Sequence, residues 1–272
     1  MLKLSKLGKK SGTQPLTSLT KGLKLLVFLR DASRPMSLTE ISRDLRLNKV
    51  SALRILLTLE QHRFVERDPR DKKYKIGSNA FYVGSGFIAG NKREKILKAM
   101  ANLVDKLKHT ITLGVLDGAS VMFIERVDGT ERVKVTVDIG SRLPAYSSAA
   151  GRALLAGLSD AEVIERLKGV RFNSTSNYRP KSLKDVLIVI EKARESGFAV
   201  NNEDSTPGLI AVAVPIKNET GNHVAALGAA FPAGYLKNKE EQKAVAAILQ
   251  KAADQISSFG VHSLREFPNV VG

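Results

Sequence analysis

Side chains that commonly perform catalysis are sparse in this chain of 272 residues. It has no Cys, which excludes a thiolate nucleophile and every Cys-ligated metal site. Its four histidines lack the spacing of metal ligands; they are His62, His109, His223 and His262. No GxSxG, P-loop or HExxH motif is present. We therefore expect no metal, no cofactor and no catalytic residue.

Two adjacent hydroxyls, Ser147 and Ser148, are the remaining candidates for a nucleophile. They directly precede an apolar helical run, where serine is commonly an N-cap. A helix start at residues 148–151 would also offer free N–H groups and a positive dipole end to the carboxylate of a small ligand. The pattern favours ligand binding, and a small-molecule hydrolase with a basic accessory domain is the alternative function.

A glycine-rich segment at residues 84–90 superficially resembles a dinucleotide-binding fingerprint. Its spacing is GxGxxxG, and the acidic residue that follows it, Asp105, belongs to a helical pattern. Small residues in this segment suit close packing in a linker helix, which we predict at residues 78–93. The boundary between two domains is placed there.

Positive charge is concentrated in the first third of the chain. The whole sequence has 43 Lys plus Arg against 27 Asp plus Glu, and residues 1–90 alone hold 18 basic and 7 acidic side chains. Cations that meet phosphates release condensed counterions, so this excess favours a nucleic-acid partner. An aromatic content of 6% without Trp offers few stacking platforms, which ranks RNA below double-stranded DNA. Residues 1–15 are expected to form a flexible basic arm.

Residues 16–77 have the pattern of a winged helix-turn-helix. One face of a first helix, at residues 17–32, is predicted to comprise Leu19, Leu23, Leu26 and Val27. Ser37 and Glu40 form a capping box for a second helix, and Asn48 is the predicted N-cap of a third. The buried face of the third helix is predicted to comprise Ala52, Ile55, Leu56 and Leu59. Runs at 64–67 and 72–76 predict a basic hairpin, the wing.

The outward face of the third helix mixes charge with small side chains and suits a recognition helix in the major groove. Val50, Leu53 and Leu57 offer a competing apolar face, so two rotations of this helix stay open. Lysines of the wing would lie along a phosphate backbone without reading sequence. The predicted DNA contacts are Ser37, Thr39, Asn48, Lys49, Ser51, Arg54, Lys72 and Lys73.

From residue 110 the pattern is that of an α+β domain. Strands are predicted at 111–116, 121–127, 132–137, 209–216 and 224–231, and helices at 148–158, 160–167, 183–196 and 239–259. Helices before and after the strands are expected to cover one face of an antiparallel sheet. No uncharged run reaches the roughly 18–20 apolar residues of a membrane span, and we expect a cytoplasmic protein without a membrane partner.

Three segments of the sequence carry a family resemblance: the helix at 49–56, LPAYSSAAGRALLAG at 143–157, and NNEDSTPG followed by LIAVAVPI at 201–216. They resemble the IclR family of bacterial transcription regulators. The resemblance implies a winged helix-turn-helix, a linker helix and a GAF-like effector domain at 94–265, assembled as a dimer or a dimer of dimers. It also implies a regulator that binds a palindromic operator and responds to a small organic acid.

The same resemblance implies which residues line the effector pocket. Carried onto this chain, they are Ser148, Ala149, Ala150, Asn201, Leu209, Ala211, Gly228 and Ala230. Some family members have acidic, thiol or hydroxyl side chains where this chain has Asn201, two alanines and a glycine. We therefore expect a roomier, less polar pocket and a bulkier or aromatic acid rather than a very small oxoacid. Leu53 and Leu57 also depart from the family, which often has polar residues there.

Overall fold

The computed structural model describes residues 14–32, 34–86, 91–131, 137–172 and 180–259. The chain divides into two compact units near residue 90. Nearly all of the predicted basic arm at 1–15 lies outside the described residues. Within the described part, no helix combines the length and the apolar character needed to cross a membrane.

The N-terminal unit has the helices and the hairpin of a winged helix-turn-helix. Its elements are α1 (Thr17–Asp31), α2 (Leu38–Asp44), α3 (Lys49–Gln61), β1 (Val65–Arg67), β2 (Tyr74–Ile76) and α4 (Ser78–Ser85). The two strands pair antiparallel, with Val65 opposite Ile76. The first part of the predicted linker helix is α4, whereas residues 91–93 begin α5 (Asn91–Leu107), a helix of the second unit.

Local side chains define where α2 and α3 begin. The Ser37 Oγ accepts the N–H of Glu40 at 3.3 Å, and the Glu40 carboxylate accepts the N–H of Ser37 at 2.8 Å. The Asn48 Oδ1 accepts the N–H of Ser51 at 2.7 Å. These bonds satisfy donors that the first turn of a helix leaves unpaired. Both predicted caps are confirmed.

The buried face of α1 differs from the prediction. The core of the N-terminal unit consists of Leu25, Leu29, Met36, Ile41, Leu56, Val65 and Tyr74. The predicted stripe is wrong, because Leu19 and Leu23 are 58% and 55% exposed, Val27 is exposed and Leu26 is only half-buried. A leucine-rich helix has more than one apolar face with helical spacing, and the spacing does not show which face meets the core.

The C-terminal unit is built around a six-stranded antiparallel sheet of order β5-β4-β3-β8-β7-β6. Its strands are β3 (Ile111–Asp117), β4 (Ser120–Val127), β5 (Arg142–Pro144), β6 (Ala199–Asn202), β7 (Leu209–Lys217) and β8 (His223–Pro232). Its helices are α5, α6 (Ala149–Leu155), α7 (Asp160–Arg166), α8 (Leu183–Ser196) and α9 (Lys239–Ser258). The predicted α+β class is confirmed.

Helices pack on both faces of this sheet, which corrects the expectation of a single covered face. On one face α6 contacts small side chains of β7 and β8, among them Ala213 and Ala226. On the other face, α5 and α9 pack on each other and on the strands. Val212 and Leu227, each next in sequence to a residue that faces α6, point to this other face and are fully buried. Burial on both faces explains why β7 and β8 read as continuous apolar runs.

Two short edge strands are absent from the prediction. β5 has three residues and β6 has four, and they lie at opposite edges of the sheet. Runs this short carry little periodic signal, so pairing with β4 and β7 defines them. The strand predicted at 132–137 lies outside the described residues except for Val137.

Candidate functional site

The outer face of α3 carries cations and apolar side chains together. Its exposed members are Lys49, Val50, Leu53, Arg54 and Leu57. Ala52 and Leu56 are fully buried, whereas Val50 is 69% exposed. This decides between the two rotations in favour of the predicted inner face. An exposed face that combines cations with apolar groups can meet phosphates, base edges and thymine methyls.

Cations on the outer face of α3 differ in their ion pairing from several cations nearby. Ion pairs of the N-terminal unit join Arg30 to Asp31, Arg34 to Glu40, Arg43 to Asp44, Lys73 to Asp71 and Lys75 to Glu66. Lys49 and Arg54 pair with no acidic side chain among the described residues. An approaching phosphate would therefore not have to displace a carboxylate from either of them.

The predicted contacts at the start of α2 are not equivalent. The Ser37 hydroxyl donates to Glu40 at 2.7 Å within the capping box and is already engaged. Arg34 also bonds Glu40 at 2.6 Å, and that bond together with those from Ser37 lowers the pKa of Glu40 to about 2. Thr39 is exposed, and its hydroxyl bonds no described residue. Of the pair, Thr39 is the better placed to meet DNA.

The wing presents its two predicted lysines differently. Lys72 is exposed at the hairpin tip, with a φ of +60° in the left-handed region, and has no ion-pair partner among the described residues. Lys73 is half-buried and pairs with Asp71 at 3.2 Å. Lys72 is therefore the freer of the two cations.

An open groove of about 730 Å³ lies between α1 and α3, and both Lys21 and Arg54 line it. It adjoins the outer face of α3 and lacks the enclosing walls of a small-molecule chamber. A smaller and more enclosed cavity, of about 240 Å³, lies in the C-terminal unit. We call this second space the sheet cavity.

The sheet cavity brings together all eight residues assigned to the effector pocket: Ser148, Ala149, Ala150, Asn201, Leu209, Ala211, Gly228 and Ala230. It is also lined by residues that the sequence reasoning does not include: Thr112, Phe123, Val137, Leu143, Ser205, Thr206, Val212, Ala213 and Ala229. Most of these additional residues lie on strands of the same sheet as the assigned residues, so their position in the sheet is the signal that could have identified them. No charged side chain of the described residues lines this space.

Strand register explains why distant segments meet at the sheet cavity. Asn201 of β6 lies opposite Ala211 of β7, which lies opposite Ala230 of β8. Two positions along β8, Gly228 pairs with Ala213 on one side. Side chains of alternate residues share a sheet face, so these rows form a floor of small side chains under α6.

Polar groups at the β6 side of the cavity are largely bonded to one another. The Asn201 Oδ1 accepts the N–H of Asp204 at 2.8 Å, and the Asn201 amide nitrogen donates to the Ser205 hydroxyl. Ser148 is the N-cap of α6, because its Oγ accepts the N–H of Gly151 at 3.1 Å. This shows the N-cap role predicted for Ser148.

A buried ion pair fastens the loop after β6 to α6. The Arg152 Nη1 lies 2.7 Å from the Asp204 carboxylate and donates to the Val200 carbonyl at 2.8 Å. The Arg152 Nε donates to the Tyr146 carbonyl at 2.9 Å. Burial lowers the pKa of Arg152, and Asp204 opposes that shift. The guanidinium thereby joins the turn before α6 to β6 and to the loop beside the cavity.

Within the part of the chain that the structure describes, neither Ser147 nor Ser148 has the histidine or carboxylate partner that a serine nucleophile needs. The Ser147 hydroxyl is buried and bonds the Pro144 carbonyl at 3.4 Å, while Ser148 serves as the helix cap. The His223 Nδ1 lies 2.8 Å from the Ala153 carbonyl, and burial lowers the pKa of this histidine. Neither serine bonds a histidine or a carboxylate within the described residues. Those residues also contain no group of three potential metal ligands.

Comparison with known proteins places both units in one family. The domain profile described as the IclR helix-turn-helix domain matches residues 18–69, and that described as bacterial transcriptional regulator IclR C-terminal matches residues 91–258. The chain belongs to the IclR family. It is 28% identical to the transcriptional repressor IclR of Escherichia coli (strain K12) over 254 residues, which is 91% of this chain and 92% of the repressor.

Solved structures share the fold of this IclR-family protein. A transcriptional regulator from Alicyclobacillus acidocaldarius superposes with a TM-score of 0.79 at 24% identity, covering 91% of this chain and 100% of that one. An IclR homologue from Microbacterium hydrocarbonoxydans, complexed with 4-hydroxybenzoate, has a TM-score of 0.77 at 23% identity, with 89% and 98% covered. The chain is thus an IclR-family transcriptional regulator with an N-terminal DNA-binding helix-turn-helix domain.

Proposed function

We propose that this IclR-family protein is a ligand-responsive regulator that acts in the cytoplasm and has no enzymatic activity. It binds a palindromic operator as a dimer or a tetramer, and a small organic acid in the sheet cavity changes its action. The observation that carries this proposal is the partly enclosed cavity, lined by no charged side chain of the described residues, in the unit that follows the DNA-binding domain. A two-fold assembly would read half-sites about 34 Å apart, or a multiple of that distance.

The cavity supports a monocyclic aromatic acid as the effector class. Its volume of about 240 Å³ exceeds the roughly 150 Å³ of an apolar cavity known to hold benzene, and the excess suits a few substituent atoms. Its small-residue floor suits a flat ring. The ligand of the Microbacterium homologue, 4-hydroxybenzoate, has this size and serves as the first probe.

Thermal shift and DNA binding measured together test the effector role. At a concentration of about 100 times its Kd, an effector should raise the Tm of the C-terminal unit by about 5–11 °C. The same acid should change the affinity for DNA taken from upstream of the protein's own or a neighbouring operon. If aromatic and aliphatic acids leave both measurements unchanged, the effector role is refuted.

Arg54 and Lys72 should differ in how they contribute to DNA binding. Arg54→Ala should weaken operator binding by about 1–3 kcal/mol and lower discrimination against altered sites, because Arg54 lies on the exposed face of α3. Lys72→Ala should weaken binding to all duplexes alike and reduce the salt slope by about 1, since one phosphate contact is lost. Fluorescence anisotropy across a salt series measures both quantities.

The matched control is Lys243→Ala, which removes one exposed cation from α9 of the other unit. It should leave operator affinity and the salt slope unchanged. Identical profiles for the Arg54 and Lys72 variants would contradict this division of roles. Equal affinity of the unaltered protein for every duplex would refute specific regulation.

A further inference from the structure

Thr112, in the middle of β3, is a polar residue of the sheet cavity that no internal contact explains. It is 8% exposed, and its hydroxyl bonds no described residue. The hydroxyl of Thr110, two residues earlier in the chain, does have an internal partner, because its Oγ1 accepts the N–H of Gly129 at 3.2 Å. This oxygen of Thr112 is not one of the fully buried, unpaired side-chain atoms of the described residues, so water or a ligand in the cavity can reach it. Polar groups inside a protein ordinarily have a partner, so this hydroxyl points to one outside the chain.

The space beside this hydroxyl is kept open by a glycine on the next strand. Thr112 lies opposite Gly228 in the β3–β8 pairing, and both residues line the cavity. A Cβ at Gly228 would stand 3.3 Å from the Thr112 Oγ1, closer than most such contacts. With glycine there, a ligand atom can approach the hydroxyl from the cavity side.

Thr112 and Asn201 lie on opposite sides of the cavity floor. Asn201 is on β6 and Thr112 is on β3, with β7 and β8 between them. Three strand spacings of roughly 4.8 Å put about 14 Å between the two strands on a flat sheet. The floor between them is formed by Ala211, Ala213, Gly228 and Ala230. A ligand that spans this floor can bond polar groups at both ends.

We propose that Thr112 determines effector specificity by hydrogen bonding to a second polar group of the ligand. This inference rests on the effector role proposed for the sheet cavity. The ligand class becomes a ring acid with a hydroxyl or carbonyl remote from its carboxylate, in preference to a ring with an apolar group at that position. The hydroxyl of Thr112 can donate or accept, which suits either polar group.

Paired probes test this assignment by calorimetry on the full chain, with 4-hydroxybenzoate and 4-methylbenzoate as ligands of similar shape. The unaltered protein should prefer the hydroxyl probe by about 2- to 10-fold, the range of one net hydrogen bond. Thr112→Val should bring the ratio close to one by weakening only the hydroxyl probe. Thr112→Ser retains the hydroxyl and should retain the preference.

Two controls separate recognition from folding. Thr110→Val makes the same substitution at a buried threonine whose hydroxyl bonds Gly129, so it should lower the Tm without changing the probe ratio. Thr112→Val should leave the Tm without ligand unchanged or higher, because the lost hydroxyl had no partner within the described protein.

The outcomes are distinguishable. If both probes bind and Thr112→Val keeps the ratio of the unaltered protein, Thr112 has no such role and the effector site stands. If the unaltered protein binds both probes with equal affinity, Thr112 again has no role in specificity and the effector site stands. If neither probe binds, the aromatic-acid class fails together with the role of Thr112.

Discussion

Replacing Arg152 with methionine should lower the free energy of unfolding of the C-terminal unit by about 3–5 kcal/mol. The substitution leaves Asp204 buried without its cation and removes donors from the carbonyls of Tyr146 and Val200. Removing the cation from a buried ion pair costs far more than the net contribution of the intact pair. Differential scanning calorimetry of the full chain measures the loss as a lower transition temperature of this unit.

Two further variants check that the loss comes from burial of the pair. Lys168→Met breaks an exposed pair with Glu165 and should change the free energy of unfolding by less than about 1 kcal/mol. Arg152→Met combined with Asp204→Leu removes both charges and should recover much of the loss. A single Arg152 variant as stable as the Lys168 variant would contradict the buried, bonded state of this guanidinium.

The same pair connects stability to ligand binding. Asp204 follows Asn201 in the loop beside the sheet cavity, and the Asp204 N–H bonds the Asn201 side chain. Arg152 lies on α6, whose first residues, Ala149 and Ala150, also line the cavity. The ion pair thus fixes the loop after β6 relative to α6. Its loss should therefore weaken effector binding as well as destabilise the fold.

Local patterns account for what the sequence predicts well. The caps at Ser37 and Asn48 are interactions within three residues, and the predicted inner face of α3 includes Ala52 and Leu56, which are buried. The stripe on α1 is wrong because the choice between two apolar faces depends on which helices pack against it. That information is tertiary and has no local signal.

The sheet cavity likewise combines residues that the sequence identifies with residues that only the tertiary structure reveals. The sequence resemblance assigns Asn201 and Gly228, and the structure brings both to one space through strands that are far apart in the chain. Thr112 escapes prediction because a threonine inside an apolar strand is ordinary, and only the β3–β8 register places it beside Gly228. The missing hydrogen bond, which makes it informative, is visible only in three dimensions.

Gly151→Ala should destabilise the C-terminal unit by about 3 kcal/mol, the upper end of the usual cost of overpacking, although alanine is the better helix former. A Cβ at Gly151 would lie 2.3 Å from the Ala145 Cα and 2.4 Å from the Ala145 carbonyl oxygen. Helix propensity favours alanine by about 1 kcal/mol, and the collision with backbone atoms outweighs it. Relief would require α6 to move away from the turn before it, which would also displace the wall of the sheet cavity.

The matched control is Gly84→Ala in α4, where an added Cβ meets no atom within 4 Å. There the propensity term acts alone, so the N-terminal unit should gain up to about 1 kcal/mol. Calorimetry of the two variants should therefore give opposite signs for the same chemical change. If Gly151→Ala stabilised the unit, α6 would not pack against the backbone of Ala145. The position of α6 as a wall of the sheet cavity would then be wrong.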